Sequence, residues 1–220
     1  MGKINDLKDQ ALATLRGKWG SFVGITFIYF LLVGIASGFA NYGTIFHGTN
    51  FSTLAIICTS SGVLLTLLML PIVMGFVVAH LHSSRQDLPA DPSDLFYGYK
   101  SFGHVLGTFV LMYLAVFVGL ILFIVPGIIL AFGYALVPFL LHDHPELSVT
   151  ETLQLSRMMM KGHKWELFVL ELSFIGWALL CVLTLFIGYL WLVPYMQMTF
   201  TKFYEKIRVE YENADNVSEL

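Results

Sequence analysis

The chain has 220 residues, of which 57% are hydrophobic, 15% aromatic and only 12% charged, with a formal net charge of −3. A soluble domain carries roughly twice that charged fraction, so the composition excludes a single soluble globular domain. The slightly acidic balance also excludes the broad basic field with which proteins hold nucleic acid.

The charges are segregated. No Asp, Glu, Lys or Arg occurs in Trp19–Ser84, Ser101–His142 or Leu172–Thr201, windows of 66, 42 and 30 residues. A bilayer-crossing helix needs about 20 apolar residues, so these windows predict a multi-pass membrane protein. Cys58 and Cys181 lie inside them, where they read as small buried hydrophobes rather than a disulfide framework. Residues 1–18 mix acids and bases and show no cleavage signature, so the first span is expected to stay in the mature protein.

In chain order, an amphipathic stretch with Ile4, Leu7, Ala11 and Leu15 at helical spacing precedes a first span over Phe22–Ala40. The polar, glycine-containing segment Asn41–Thr53 reads as a loop, and Leu54–Leu81 as the second span with Pro71 inside it. Ser93-Asp94-Leu95-Phe96 precedes a third span over His104–Phe123. A turn at Val125-Pro126-Gly127 leads to a fourth over Ile128–Leu141. Ser148 with Glu151 three residues on has the form of a capping box. It opens a stretch to Met160, before a fifth span over Trp165–Phe186, a turn near Ile187-Gly188 and a sixth over Tyr189–Phe203. All 12 Lys and Arg fall in 1–18, 85–100, 143–164 and 202–220, and the three intervening loops hold no charge. That asymmetry predicts six spans with both termini cytoplasmic.

The three hairpins look related. Lys-Trp-x-x-Phe-Val occurs at Lys18–Val23 and again at Lys164–Val169. Pro71, Pro138 and Pro194 sit in the second helix of each hairpin, where they are expected to kink it. Gly127, Tyr134 and Phe139 fall in register with Gly188, Tyr195 and Phe200. The expected fold class is therefore an all-α polytopic membrane helix bundle, six transmembrane helices as three hairpins, each preceded by a cytoplasmic amphipathic helix. One integral membrane domain would cover 1–206, with repeat units of about 3–84, 93–145 and 148–206, followed by an acidic cytoplasmic tail at 207–220.

Ser156–Phe168 (SRMMMKGHKWELF), Leu172–Trp177 (LSFIGW) and Leu190–Tyr195 (LWLVPY) are distinctive. With Arg16–Gly20, Ser93–Phe96 and Pro126–Ile129, they resemble a family of bacterial, mostly Gram-positive, integral membrane proteins catalogued as domain of unknown function 975. The family usually has Asp-Asn-Pro where this chain has Asp143-His144-Pro145. The resemblance implies a bacterial plasma-membrane location and a polytopic helical fold, with no catalytic residues to carry over. The arrangement is more distantly similar to the membrane domain of some bacterial glycerophosphodiester phosphodiesterases. These 220 residues contain no phosphodiesterase-like stretch, so that activity is not expected.

His80-x-His82 and His142-x-His144, with Asp143, are the residue types that bind zinc. Residues two apart point away from each other on a helix, however, so a metal site is not expected. Glu171, inside the fifth span, is an acid of the kind that marks ion or proton paths in membranes. Counting from the turn near Ile187 puts Lys202 at the same depth, so Glu171 is expected to pair with it. Gln197 suits a hydrogen bond between helices, and His163, Lys164 and Trp165 sit at the entry to the fifth span. No nucleotide loop, zincin motif or nucleophile elbow is present.

The reading is a non-enzymatic membrane protein without cofactor that transports or binds a small or amphipathic molecule. The alternative is a membrane-embedded interaction or scaffold protein for envelope components or lipid, and an enzyme acting on lipid ranks third. Expected partners are the bilayer, anionic lipid at the cytoplasmic face and a membrane protein, with no nucleic acid.

Overall fold

A computed structural model describes residues 2–45, 62 and 64–218. The described residues form helices joined by short turns, with no strand among them. Helix α1, Gly2–Leu15, turns Leu7, Ala11 and Leu15 inward. Gly17, at φ +80°, makes the turn into α2, Trp19–Ile45. Gly162, at φ +92°, stands two residues before Lys164, one further from the Lys-Trp pair than Gly17 is from its own. Left-handed backbone of this kind is cheap only for glycine, so both Lys-Trp motifs are entered through a turn that glycine permits. Asn41–Ile45, expected to begin a loop, instead continues α2. None of these residues is a proline, so nothing stops the hydrogen-bond ladder there. The rest of that loop and the first part of the second span, 46–61, lie outside the described residues.

Residues 64–68 are helical, a turn at Met69 interrupts them, and α3 follows as Leu70–Gln86 with Pro71 in its first turn. Pro71 thus marks a break, as a residue without an N–H should. A 3-10 segment, Pro92–Ser101, is capped by the Asp91 side chain, which accepts from Ser93 N at 2.8 Å. It lies against α3 with no side chain between the two backbones at Gly75 and Gly98.

The next elements are α4 (Phe102–Leu122), α5 (Ile124–Gly133) and α6 (Val137–Asp143). The chain reverses at Phe123, two residues before the expected Val125-Pro126-Gly127 turn. Pro126 lies in the first turn of α5, where its missing donor costs nothing. Gly127 serves a different purpose, because a Cβ there would stand 2.6 Å from Leu120 of α4. Gly188 does the same against Cys181, at 2.8 Å and again seven residues back. A second interruption at Tyr134–Leu136 precedes Pro138.

Helix α7, Val149–Met159, carries the capping box foreseen at Ser148 and Glu151. The Ser148 hydroxyl and amide hold the Glu151 carboxyl below its ordinary range. The expected fifth span is two helices, α8 (Lys164–Leu172) and α9 (Ile175–Leu183), separated at Ser173-Phe174. Leu185 and Phe186, both at positive φ, turn the chain into α10, Tyr189–Ser218. Helix α10 runs through Pro194 without a break in its helical assignment, with Leu192 and Met198 buried on either side of it. It also continues through 207–218, with Ile207 buried.

The packed part of the molecule surrounds α3, where Ile72, Met74, Val78, Ala79 and Leu81 are all 0–1% exposed. Away from it, the helices present bare apolar surface. Residues Ile121–Val125, at the tip joining α4 and α5, are each 66–72% exposed, and Leu183 and Leu185, at the tip after α9, are about 80%. Leaving a large aliphatic or aromatic side chain in water forfeits about 1.5–3 kcal/mol. A few such residues already match the roughly 5–15 kcal/mol net stability of a domain, so this surface belongs against lipid. Five helical stretches among the described residues are long and apolar enough to cross a membrane: Trp19–Gly38, Leu64–Gln86, Pro92–Leu122, Ile124–Asp143 and Lys164–Leu183. This is the surface of a membrane-embedded protein.

Candidate functional site

Two features stand out, a cavity and a network of charges, and both depend on α10. The cavity, of about 260 Å³, lies where α3, α6, α8 and α10 converge. Val77, Pro138, Phe139 and Phe203 give it apolar walls. Two polar side chains enter it: Glu171 from α8 and Gln197 from α10. The helix break before Pro138 contributes Ala135 and Leu136 to the lining. Two residues singled out separately in the sequence thus share one space. Among the described residues Glu171 forms no ion pair, and the expected pairing with Lys202 is not made. Lys202 lines a different groove, with Asp6, Arg85 and Glu205. The depth count placed the two residues at one level but could not fix rotation about α8 and α10. Glu171, an exposed residue, lines this cavity, and Lys202 lines the other groove.

The charged network centres on Asp143 at the end of α6, whose side chain is 9% exposed. Arg85, in the last turn of α3, donates to both of its oxygens, at 2.7 and 2.6 Å, and donates through Nε to Glu205 at 2.7 Å. The Tyr204 hydroxyl donates to Asp143 Oδ2 at 2.6 Å, and Arg208 stands 3.5 Å away. Bidentate guanidinium–carboxylate pairs of this kind are the strong, directional ones. Burial and the Asp143 carboxylate push the Tyr204 phenol far above its ordinary range, so it remains a donor. Its ring stacks on Phe139 at 4.6 Å, joining the network to the cavity wall.

A chain of imidazoles extends the network. His142 Nδ1 meets Asp143 Oδ1 at 2.9 Å, His82 Nδ1 meets Asp94 Oδ1 at 3.1 Å, and the two Nε2 atoms lie 3.0 Å apart. A hydrogen bond between two imidazole nitrogens needs a hydrogen on one and a lone pair on the other. The sequence grouped His80 with His82 and His142 with His144. The fold instead joins the second of one pair to the first of the other. His80 lies buried between Phe22 and Phe76, with its Nδ1 bonded to the Phe76 carbonyl at 2.8 Å. No group of three His, Cys, Asp or Glu side chains suited to a metal ion occurs among the described residues.

At the entry to α8, His163 lies 3.5 Å from Glu166 and 3.6 Å from Glu210, and Lys206 donates to Glu166 at 2.5 Å. Lys164 instead lies over Gly133, and Trp165 is 72% exposed. Sequence reasoning did not single out Arg85, Tyr204 or the partnership of His82 with His142. Their separations, such as 58 residues between Arg85 and Asp143, carry no periodic signal.

The comparison with known families agrees with the resemblance in the sequence: residues 114–210, which include α5 to α9 and much of α10, match the model of a family described as a protein of unknown function (DUF975). No curated protein and no solved structure matches the chain.

Proposed function

From the placement of residues 114–210 in the DUF975 family, we propose a multi-pass protein of the bacterial plasma membrane that binds or transports a small amphipathic molecule without changing it covalently. The observation that carries this reading is the cavity holding Glu171 and Gln197. Its apolar walls suit a hydrocarbon body, and its acid and amide suit a cationic or hydrogen-bond-donating end. An unpaired carboxylate in a membrane-facing region is expensive, so its retention favours a ligand that meets it.

The proposed topology has six spans in three hairpins, with the first part of α10 as the sixth and both ends of the chain in the cytoplasm. The Lys and Arg distribution supports it, as do the matching roles of Gly127 and Gly188 and of Gly17 and Gly162. With Cys58 and Cys181 replaced by alanine, Ser218→Cys is expected to resist a membrane-impermeant maleimide in intact cells. Labelling there would overturn the topology.

The functional test uses benzyltrimethylammonium, a permanent cation with an apolar ring. Vesicles containing the protein are expected to take it up faster than empty vesicles, and Glu171→Gln to reduce the uptake about tenfold, the effect of losing about 1.4 kcal/mol of interaction. Equal uptake by wild type and Glu171→Gln would remove the cavity from the function.

A second reading, a membrane-embedded scaffold for envelope components or lipid, is favoured by one observation. Arg157, Lys161 and Lys164 line a single groove, and among the described residues none of their side chains forms a hydrogen bond or ion pair.

A further inference from the structure

The groove that these three cations share measures about 700 Å³ and lies between α4 and α7, at the root of the bare α4–α5 tip. Its floor is apolar, with Leu111 and Ala115 of α4, and Tyr134 closes it at the break between α5 and α6. The Gly133 backbone lets Arg157 and Lys164 approach. A Cβ there would lie 3.4 Å from Arg157 Cγ and 3.6 Å from Lys164 Nζ. The Gly133 carbonyl accepts from the Ser156 hydroxyl at 2.8 Å, fixing α7 against this break.

The setting changes along α4 just at this level. Val105 and Phe109 are 0–1% exposed, whereas Val110, Tyr113, Leu114, Phe117 and Val118 are 44–60% exposed. Trp165, beside Lys164, is also exposed, as expected of a residue at the headgroup level. The groove therefore opens where packed protein gives way to lipid-facing surface.

We infer that this groove is a binding site for an anionic phospholipid. Arg157, Lys161 and Lys164 hold the phosphate, and an acyl chain lies over Leu111 and Ala115 along the exposed face of α4. The charge decides between occupants. The groove carries three cations and no acid, so a neutral lipid or a cationic amphiphile would leave them uncompensated. Basic residues near an anionic surface attract it, and these three line the same groove. The inference is independent of Glu171 and its cavity, and either can fail without the other.

Native mass spectrometry of the full chain in detergent, titrated with phosphatidylglycerol or phosphatidylcholine, tests it. Phosphatidylglycerol is expected to bind with one tight site and phosphatidylcholine without one. The combined Arg157→Gln, Lys161→Gln and Lys164→Gln variant should lose at least about tenfold in affinity for phosphatidylglycerol, an energy near 1.4 kcal/mol. A control with the same charge change elsewhere, Lys8→Gln, Arg16→Gln and Lys100→Gln, should keep the site. Ala115→Trp, which blocks the apolar floor and leaves every cation in place, should also weaken binding. Retention of the site by the first triple variant, or equal loss by the control, would overturn the assignment. So would tight binding of inorganic phosphate that displaces the lipid and survives Ala115→Trp, because the ligand would then be a free anion.

Discussion

Gly75→Ala is expected to unseat the 3-10 segment from α3 and to leave little folded protein in the membrane. A Cβ at position 75 would overlap the Leu95 carbonyl and lie 2.6 Å from Asp94 O, and all of these are backbone atoms. The contact is reciprocal, since a Cβ at Gly98 would overlap the Pro71 carbonyl and stand 2.9 Å from Pro71 Cα. A flexible side chain can move aside, but two backbones in contact cannot part without separating the elements. Overpacking of a fixed interior costs about 1–3 kcal/mol, and this case belongs at or above the upper end. Gly24→Ala in α2 is the control, with nothing within 4 Å of its Cβ. It should be neutral or stabilise by a few tenths of a kcal/mol through helix propensity. Thermal unfolding in detergent, followed by size-exclusion recovery, reads both. A Gly75→Ala protein that melts like the wild type would disprove the interlock.

Asp143→Asn should have the next largest effect, a loss of about 2–3 kcal/mol. Removing one partner of a buried ion pair typically costs about 3–5 kcal/mol, because the other charge is left uncompensated. Here Arg85 and Arg208 are 29% and 31% exposed, and water reduces the penalty. Tyr204→Phe retains the stack on Phe139 and loses a single hydrogen bond, so about 1 kcal/mol is expected. The double variant Asp143→Leu with Arg85→Leu should be less damaging than the sum of the two single changes, since neither charge is then stranded. The same melting experiment checks the series. An Asp143→Asn protein as stable as the wild type would show that the network contributes nothing.

Local signals carried much of the architecture. The charge-free windows located the apolar helices because lipid tolerates almost no ionised side chains. The Ser148–Glu151 spacing located the start of α7 because a capping box is made within one turn. Pro71 and Pro138 marked two of the interruptions. The reversal at Phe123 was misplaced because Pro126 fits the first turn of a helix as well as it fits a tight turn. Of the site, Glu171 and Gln197 were recognisable individually as polar groups in apolar helices. Their meeting depends on the rotation of α8 and α10, which depth counting does not specify. The pairings of Arg85 with Asp143 and of His82 with His142 join residues 58 and 60 positions apart. Only the packing of α3 against α6 brings them together, and no periodicity encodes it.

Helix α10 has a mechanical role that follows from its length. Thirty residues make a rod of about 45 Å. Along it, Gln197 reaches the cavity, Tyr204 and Arg208 reach Asp143, and Lys206 reaches Glu166. Because Pro194 does not divide the rod, these contacts are in series on one shaft. A rotation that withdrew Gln197 would also swing Tyr204 and Arg208 away from their carboxylate, and a ligand pressing on one end would be felt at the other.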